Sequence, residues 1–290
     1  LTVTLITDLL AAGPTWSIEF FPPRTEEGER QFDATIRELA PLHPSFASVT
    51  YGALGSTKAR TRDLVVTMNA DLPFPTMAHL TCVGHTHAEI TELLDGYAAA
   101  GVHNILALGG DPPEDGGGHD GQFSHAIELV RMIREHPAEF AVGVAAHPEV
   151  HPRSPDRASD RLHLAAKLRD ADFAITQFFF TIDDYLRLVD ELGALGCDRP
   201  VIPGVMPFVS ATGLRRMSAM NHTAIPPALA ARLDACGDDT AVADLGIAVA
   251  TDLSRGLIDA GAPGVHLYTL NRAASVHRVR DNLGLGARHR

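Results

Sequence analysis

The chain has 290 residues, 45% of them hydrophobic, enough for a sizeable core, and a formal net charge of −12. No stretch concentrates Lys and Arg, so neither a nucleic acid nor an anionic membrane surface is an expected partner; a small molecule is. The three cysteines, Cys82, Cys197 and Cys236, show no C-x-x-C spacing. That argues against a disulfide framework or a cysteine-based zinc site and leads to the expectation of a reducing, cytoplasmic setting. No apolar run reaches the ~18 residues of a membrane span. The opening stretch LTVTLITDLLAAGPTWSIEF has no basic n-region and no clear cleavage site, so a signal peptide is not expected.

In chain order, short β-branched or aromatic runs alternate with longer amphipathic ones. Strands are expected at 16–20, 46–50, 77–81, 104–108, 140–146, 173–179, 201–205 and 264–269, most of them starting about 30 residues apart, the period of a βα unit. Helical periodicity marks 26–40, with Phe32, Ile36 and Leu39 on one face, and then 86–100, 122–135, 156–170, 182–195 and 273–283. The long gap between the last two strands reads as two short helices and one long one. No Gly/Ser linker divides the chain. Residues 1–290 are therefore expected to form a single (β/α)8 TIM barrel with extra helices between strands 7 and 8. An open doubly wound sheet is the alternative, but the first strand runs into FFPPRTEEGE rather than into a G-x-G-x-x-G loop.

A barrel gathers its chemistry at the C-terminal strand ends. Those ends carry Glu19, Thr50 and Tyr51, His79 and Thr81, Asp111, the pair His147 and His151 with Glu149, Gln177, and finally Tyr268, Asn271 and Arg272. Glu19 is flanked by Phe20, Phe21 and two prolines. An apolar setting there would raise its pKa and suit a general acid; a structural ion pair with an Arg is the competing reading. Asp111 follows the pair Gly109 and Gly110, which lets backbone approach a ligand, although Asp-Pro is also an ordinary turn former. HPEVHP at 147–152 is not H-E-x-x-H, and its prolines oppose the helix such a zinc motif requires, so no metal is expected. Gln177 would present an amide whose donor and acceptor need partners, and a pterin edge offers both.

Together the stretches SIEFFPPRTEEGE, SVTYGA, HLTC, LALGGDPP, AAHPEVHP, AITQFFF, IPGVMP and LYTLNRA, in order over about residues 16 to 275, resemble the methylenetetrahydrofolate reductase family. The resemblance implies a (β/α)8 barrel that reduces 5,10-methylenetetrahydrofolate to 5-methyltetrahydrofolate. It places the general acid at Glu19 and the cation-favouring carboxylate at Asp111. Folate contacts fall on Gln177 and on the Tyr268–Arg272 segment, with Tyr268, Asn271 and Arg272 as candidates. Nucleotide contacts fall on Thr50, His79, Gly110, His147, His151, Asp160 and Lys167.

The chain also departs from the pattern. Most family members relay hydride through FAD. The Arg of their L-R-G-D loop is Gly109 here, the Tyr of A-Y-P-E-V-H is His147, and an Asn and an Arg downstream become His163 and Ala166. Two guanidinium groups missing beside a diphosphate, at ~1.5–3 kcal/mol each, would weaken FAD by roughly 10² to 10⁴-fold. The expectation is a flavin-independent reductase using NADH, because no Arg cluster offers itself to the 2′-phosphate of NADPH. A flavin enzyme with substituted contacts is the alternative, and a folate-binding protein without turnover is a third.

Overall fold

The computed structural model describes residues 3–51, 55–110 and 121–285, with side chains from residue 60 in the second span. Strands β1 (Thr15–Phe20), β2 (Phe46–Val49), β3 (Thr76–Thr81), β4 (Asn104–Leu108), β5 (Ala141–Ala146) and β6 (Phe173–Thr176) pair in parallel with their sequence neighbours. The expected seventh strand is split at Pro203 into β7 (Val201–Ile202) and β8 (Gly204–Val205). β7 pairs with β6 and β8 with β9 (Gly264–Tyr268), which itself pairs with β1. One interrupted stave thus closes a (β/α)8-like barrel of nine parallel strands. A proline cannot donate to the ladder, which is why the pairing changes sides there; its carbonyl still accepts from His266 N at 2.9 Å.

β6 stops three residues short of the expected run. Gln177 N bonds back to Ala146 O (2.8 Å), after which the three phenylalanines leave the sheet. At the closure the Tyr268 hydroxyl donates to Thr176 O at 2.6 Å, crossing over Gly204. A Cβ on Gly204 would fall 2.3 Å from that same carbonyl, so only glycine lets the tyrosine across.

The outer layer comprises α2 (Glu26–Leu39), α3 (Gly55–Asp71), α4 (His87–Ala99), α5 (Ala126–Glu135), α6 (Arg157–Asp170), α7 (Ile182–Ala194) and α11 (Ala273–Leu283). The extra helices are α8 (Ala211–Asn221), α9 (Pro227–Asp234) and α10 (Asp239–Asp259), two short and one long as expected. α3 is not among the helices that periodicity marks, because its apolar residues form no stripe. α1 (Ile6–Ala12) is also unexpected. It seals the N-terminal end, with fully buried Ile6 packed among Phe46, Met77, Leu106, Phe173 and Ile202 and its N–H bonded to Asn104 Oδ1 at 2.8 Å. A closed floor leaves the opposite mouth as the place for chemistry. No described helix is long and apolar enough to cross a membrane.

Candidate functional site

Glu19 stands near the end of β1, where strand alternation turns Phe20 outward into the α2 layer, against Phe32, and turns Ser17 and Glu19 into the barrel. The same alternation turns Ser48 of β2, His79 of β3 and His266 of β9 inward. Three groups converge on one carboxylate oxygen, Oε2. The Ser48 hydroxyl donates to it at 3.2 Å, and His266 Nε2 lies 3.3 Å away. His79 Nε2 is also at 3.3 Å, as an ion-pair contact rather than an aligned hydrogen bond. Every described contact of the carboxylate falls on Oε2. Oε1 has no contact among the described residues, and the side chain is 13% exposed.

This corrects the expectation of an apolar pocket. Burial alone would push the Glu19 carboxyl up, but the two imidazoles outweigh it by charge and hydrogen bonding and hold it at about 2. Glu19 is therefore a carboxylate near neutral pH. The flanking phenylalanines and prolines misled because they sit on the other face of the strand or beyond its end.

The other expected residues fall into distinct roles. Gln177 and His147 come together on one depression at the mouth, with Phe178, His222 and Thr223. Gln177 Oε1 accepts from Phe178 N at 3.0 Å, which aims the amide, and its NH2 makes no hydrogen bond among the described residues. The Tyr268 hydroxyl is committed to barrel closure, and burial pushes its pKa well up. Asn271 is likewise committed: Oδ1 accepts from Phe21 N (3.1 Å) and Nδ2 donates to Phe21 O (2.8 Å), which fixes the loop that follows Glu19. Leu270 and Asn271 both adopt left-handed φ, near 50°, a conformation uncommon for residues with side chains. Arg272, exposed at the N-cap of α11, keeps its guanidinium outside any described ion pair.

On the nucleotide side, Thr50 N extends the ladder to Phe20 O (2.9 Å). Gly110 adopts φ +84°, and a Cβ there would strike Val83 Cγ1 at 2.3 Å. His147 packs edge-to-face on His151, ring centroids 4.6 Å apart; burial, helped by His151 and nearby cations, lowers it to about 3, so it is neutral. Asp160 accepts from His151 N (3.2 Å) and Ser154 Oγ (3.1 Å) and pairs with Arg161. Lys167 Nζ donates to Ala145 O (3.2 Å), and burial pushes its pKa down. Asp111 lies outside the described residues, as does nearly all of the acidic segment after it.

Residue-by-residue reading missed His266, Ser48, Arg161 and Arg153. Period-two alternation would have placed the first two in the barrel with Glu19. Arg161, 3% exposed, donates to the carbonyls of His147 (3.1 Å), Pro148 (2.8 Å) and Glu149 (3.0 Å) and pairs with Glu191. Arg153 donates to Gly110 O at 3.2 Å, and its Nη2 lies 3.6 Å from where a Cβ on Gly109 would stand. The space beside Gly109 thus holds a guanidinium after all, delivered from the β5–α6 loop. No group of described side chains could hold a metal ion.

Comparison with known proteins agrees with this geometry. The family model for methylenetetrahydrofolate reductase matches residues 5–284. The 5,10-methylenetetrahydrofolate reductases of Pectobacterium carotovorum and Escherichia coli are 34% and 35% identical, over 93% of this chain and 90% of theirs. Methylenetetrahydrofolate reductase (NADH) 1 of Arabidopsis thaliana is 35% identical over 93% of this chain and 48% of its own. A Clostridium thermocellum protein whose structure binds two copies of 5-methyl-5,6,7,8-tetrahydrofolic acid shares the fold. Its TM-score is 0.67 at 13% identity, covering 98% of this chain and 99% of that one. The order of motifs, the barrel and the carboxylate at its mouth have one common explanation: this chain belongs to the methylenetetrahydrofolate reductase family.

Proposed function

We propose that the chain reduces 5,10-methylenetetrahydrofolate to 5-methyltetrahydrofolate with NADH, hydride passing directly to the folate without flavin. The observation that carries the reaction is the Glu19 carboxylate, held on Oε2 by Ser48, His79 and His266, with Oε1 uncommitted among the described residues. In this reading Glu19, a carboxylate at rest, passes a proton from solvent to N10 of the folate. The bond from N10 to the bridging carbon breaks, leaving an N5 iminium cation. The nicotinamide then gives its hydride, with the electron pair, to that carbon and becomes oxidised. The carboxylate also favours the cation electrostatically. Gln177, with a donor left over, is suited to the pterin edge, and Asp111 to the same cation.

The absence of a relay rests on the nucleotide side. A resident flavin needs fixed partners for its diphosphate. Here Lys167 and Asp160 are committed within the protein and His147 is neutral. Arg153 supplies a charge, but an exposed one. Such a surface fits a nucleotide that must leave every cycle better than one that stays, and no step is assigned to flavin. That the Arabidopsis relative's name specifies NADH supports the choice of nucleotide.

Steady-state NADH oxidation with methylenetetrahydrofolate, without added FAD, tests the reading. Intersecting double-reciprocal lines and a purified protein free of visible flavin absorbance are expected. Parallel lines with a stoichiometric flavin band would replace it by the flavin enzyme. Folate binding without NADH oxidation would leave a binding protein. If Arg153 meets the diphosphate of NADH, Arg153→Ala should raise the KM for NADH about 10- to 100-fold, the size of one charge-assisted hydrogen bond, and leave the folate KM within about twofold.

A further inference from the structure

The turn after α8 forms one wall of the depression that holds Gln177. Successive residues of the turn are tied down. Thr223 N donates to Ser218 O of α8 at 2.9 Å, and Thr223 Oγ1 donates to Phe178 O at 3.4 Å. Ala224 N donates to both carboxylate oxygens of Glu149, at 3.0 and 3.1 Å. The backbone that carries Glu149 is itself held, because Arg161 donates to the carbonyls of His147, Pro148 and Glu149. At the head of this turn stands His222, half-buried, lining the depression in the left-handed conformation, φ 54°. A helix ends in that conformation most readily with glycine or asparagine. Histidine adds a ring there, and the ring makes no hydrogen bond among the described residues.

We propose that His222 is a substrate-contacting residue that reads the amino group of the pterin edge alongside Gln177, and that Glu149 is its positioning residue. The two contacts divide the edge between them. Gln177 Oε1 is already occupied by Phe178 N, so the amide offers its hydrogens to the ligand. A pterin edge sets an amino group and a ring N–H beside a carbonyl. The carbonyl suits Gln177, and the amino group needs an acceptor. A neutral imidazole carries one bare nitrogen, which supplies it. Glu149 spends both of its oxygens on Ala224 N. Its bond is to the backbone of the turn, so it sets where the ring stands and leaves both ring nitrogens for the ligand.

This inference rests on the proposed folate substrate, and its test separates the two. Calorimetry on the whole chain measures binding of 5-methyltetrahydrofolate and of an analogue lacking the pterin amino group. His222→Gly removes the ring yet suits the left-handed backbone, so its denaturant midpoint should stay at that of wild type. It should bind 5-methyltetrahydrofolate about 3- to 10-fold more weakly, the size of one hydrogen bond, and bind the analogue as wild type does. Glu149→Ala should weaken 5-methyltetrahydrofolate by a similar factor. Glu149→Gln, whose amide oxygen still accepts from Ala224 N, should restore it to within about twofold of wild type. In the double variant of His222→Gly with Glu149→Ala the losses should not add, because Glu149 acts through the ring. Equal binding by wild type and His222→Gly, or an equal loss for both ligands, overturns the contact. Additive losses, or a Glu149→Gln protein as weak as Glu149→Ala, overturn the positioning role. A wild type that does not bind 5-methyltetrahydrofolate defeats the proposed function itself, and this inference falls with it.

Discussion

Glu19→Gln should abolish most turnover while leaving the barrel folded. The amide keeps the size of the side chain and can still meet Ser48, His79 and His266, but it cannot conduct a proton. A general acid is worth about 10² to 10⁴-fold, and a loss of that order in kcat at an unchanged NADH KM is expected. Turnover within about threefold of wild type would remove Glu19 from the reaction.

The same substitution has a pH signature in stability. The Glu19 carboxyl lies at about 2 in the folded protein against 4.5 ordinarily, a difference worth about 3 kcal/mol. Because the folded value is depressed, this stabilisation is complete above the unfolded value of 4.5 and is lost as pH falls through about 2. Chemical denaturation of wild type and Glu19→Gln should therefore give stabilities that draw together as acid is added. A constant difference from neutrality to strong acid would show that the imidazoles do not hold the charge.

Arg161→Met should be the most destabilising single change on the nucleotide side. Arg161 is buried, pairs with buried Asp160 and with partly exposed Glu191, and donates to three successive carbonyls of the loop after β5. Removing it deprives buried Asp160 of its ion-pair partner, leaves Glu191 with Arg157 alone at 3.8 Å, and leaves three carbonyls short of a donor. Breaking a buried pair from one side costs about 3–5 kcal/mol. The shift should appear in the denaturant midpoint, and NADH affinity should fall with it, because the loop carries His147, His151 and Arg153. A midpoint shift under about 1 kcal/mol would mean that the loop holds itself.

Much of the architecture was legible because it depends on local pattern. Seven expected strands lie within a few residues of the observed ones, since β-branched and aromatic runs bounded by turns need no knowledge of partners. The eighth, 201–205, was right in extent and wrong in continuity: Pro203 marks the break, but only the neighbours on either side show that each half pairs with a different strand. Helix α3 escaped because it buries Val65 and Met68 without an apolar stripe, and α1 because a short plug is recognised only by the barrel end it fills.

At the site, sequence alone determined which residues reach the mouth. Strand order put Glu19, Gln177 and His147 at C-terminal strand ends, and motif order carried the resemblance to the family. Tertiary structure alone decided what those residues are. The charge state of Glu19 follows from His79 and from His266, the latter 247 positions away, since a pKa answers to charges within a few ångströms and not to chain neighbours such as Phe20. The loss of Arg at Gly109 likewise overstated the loss of charge, because Arg153 arrives beside it from another loop. Position along a strand is a local property; ionisation and charge compensation belong to whatever the fold brings alongside.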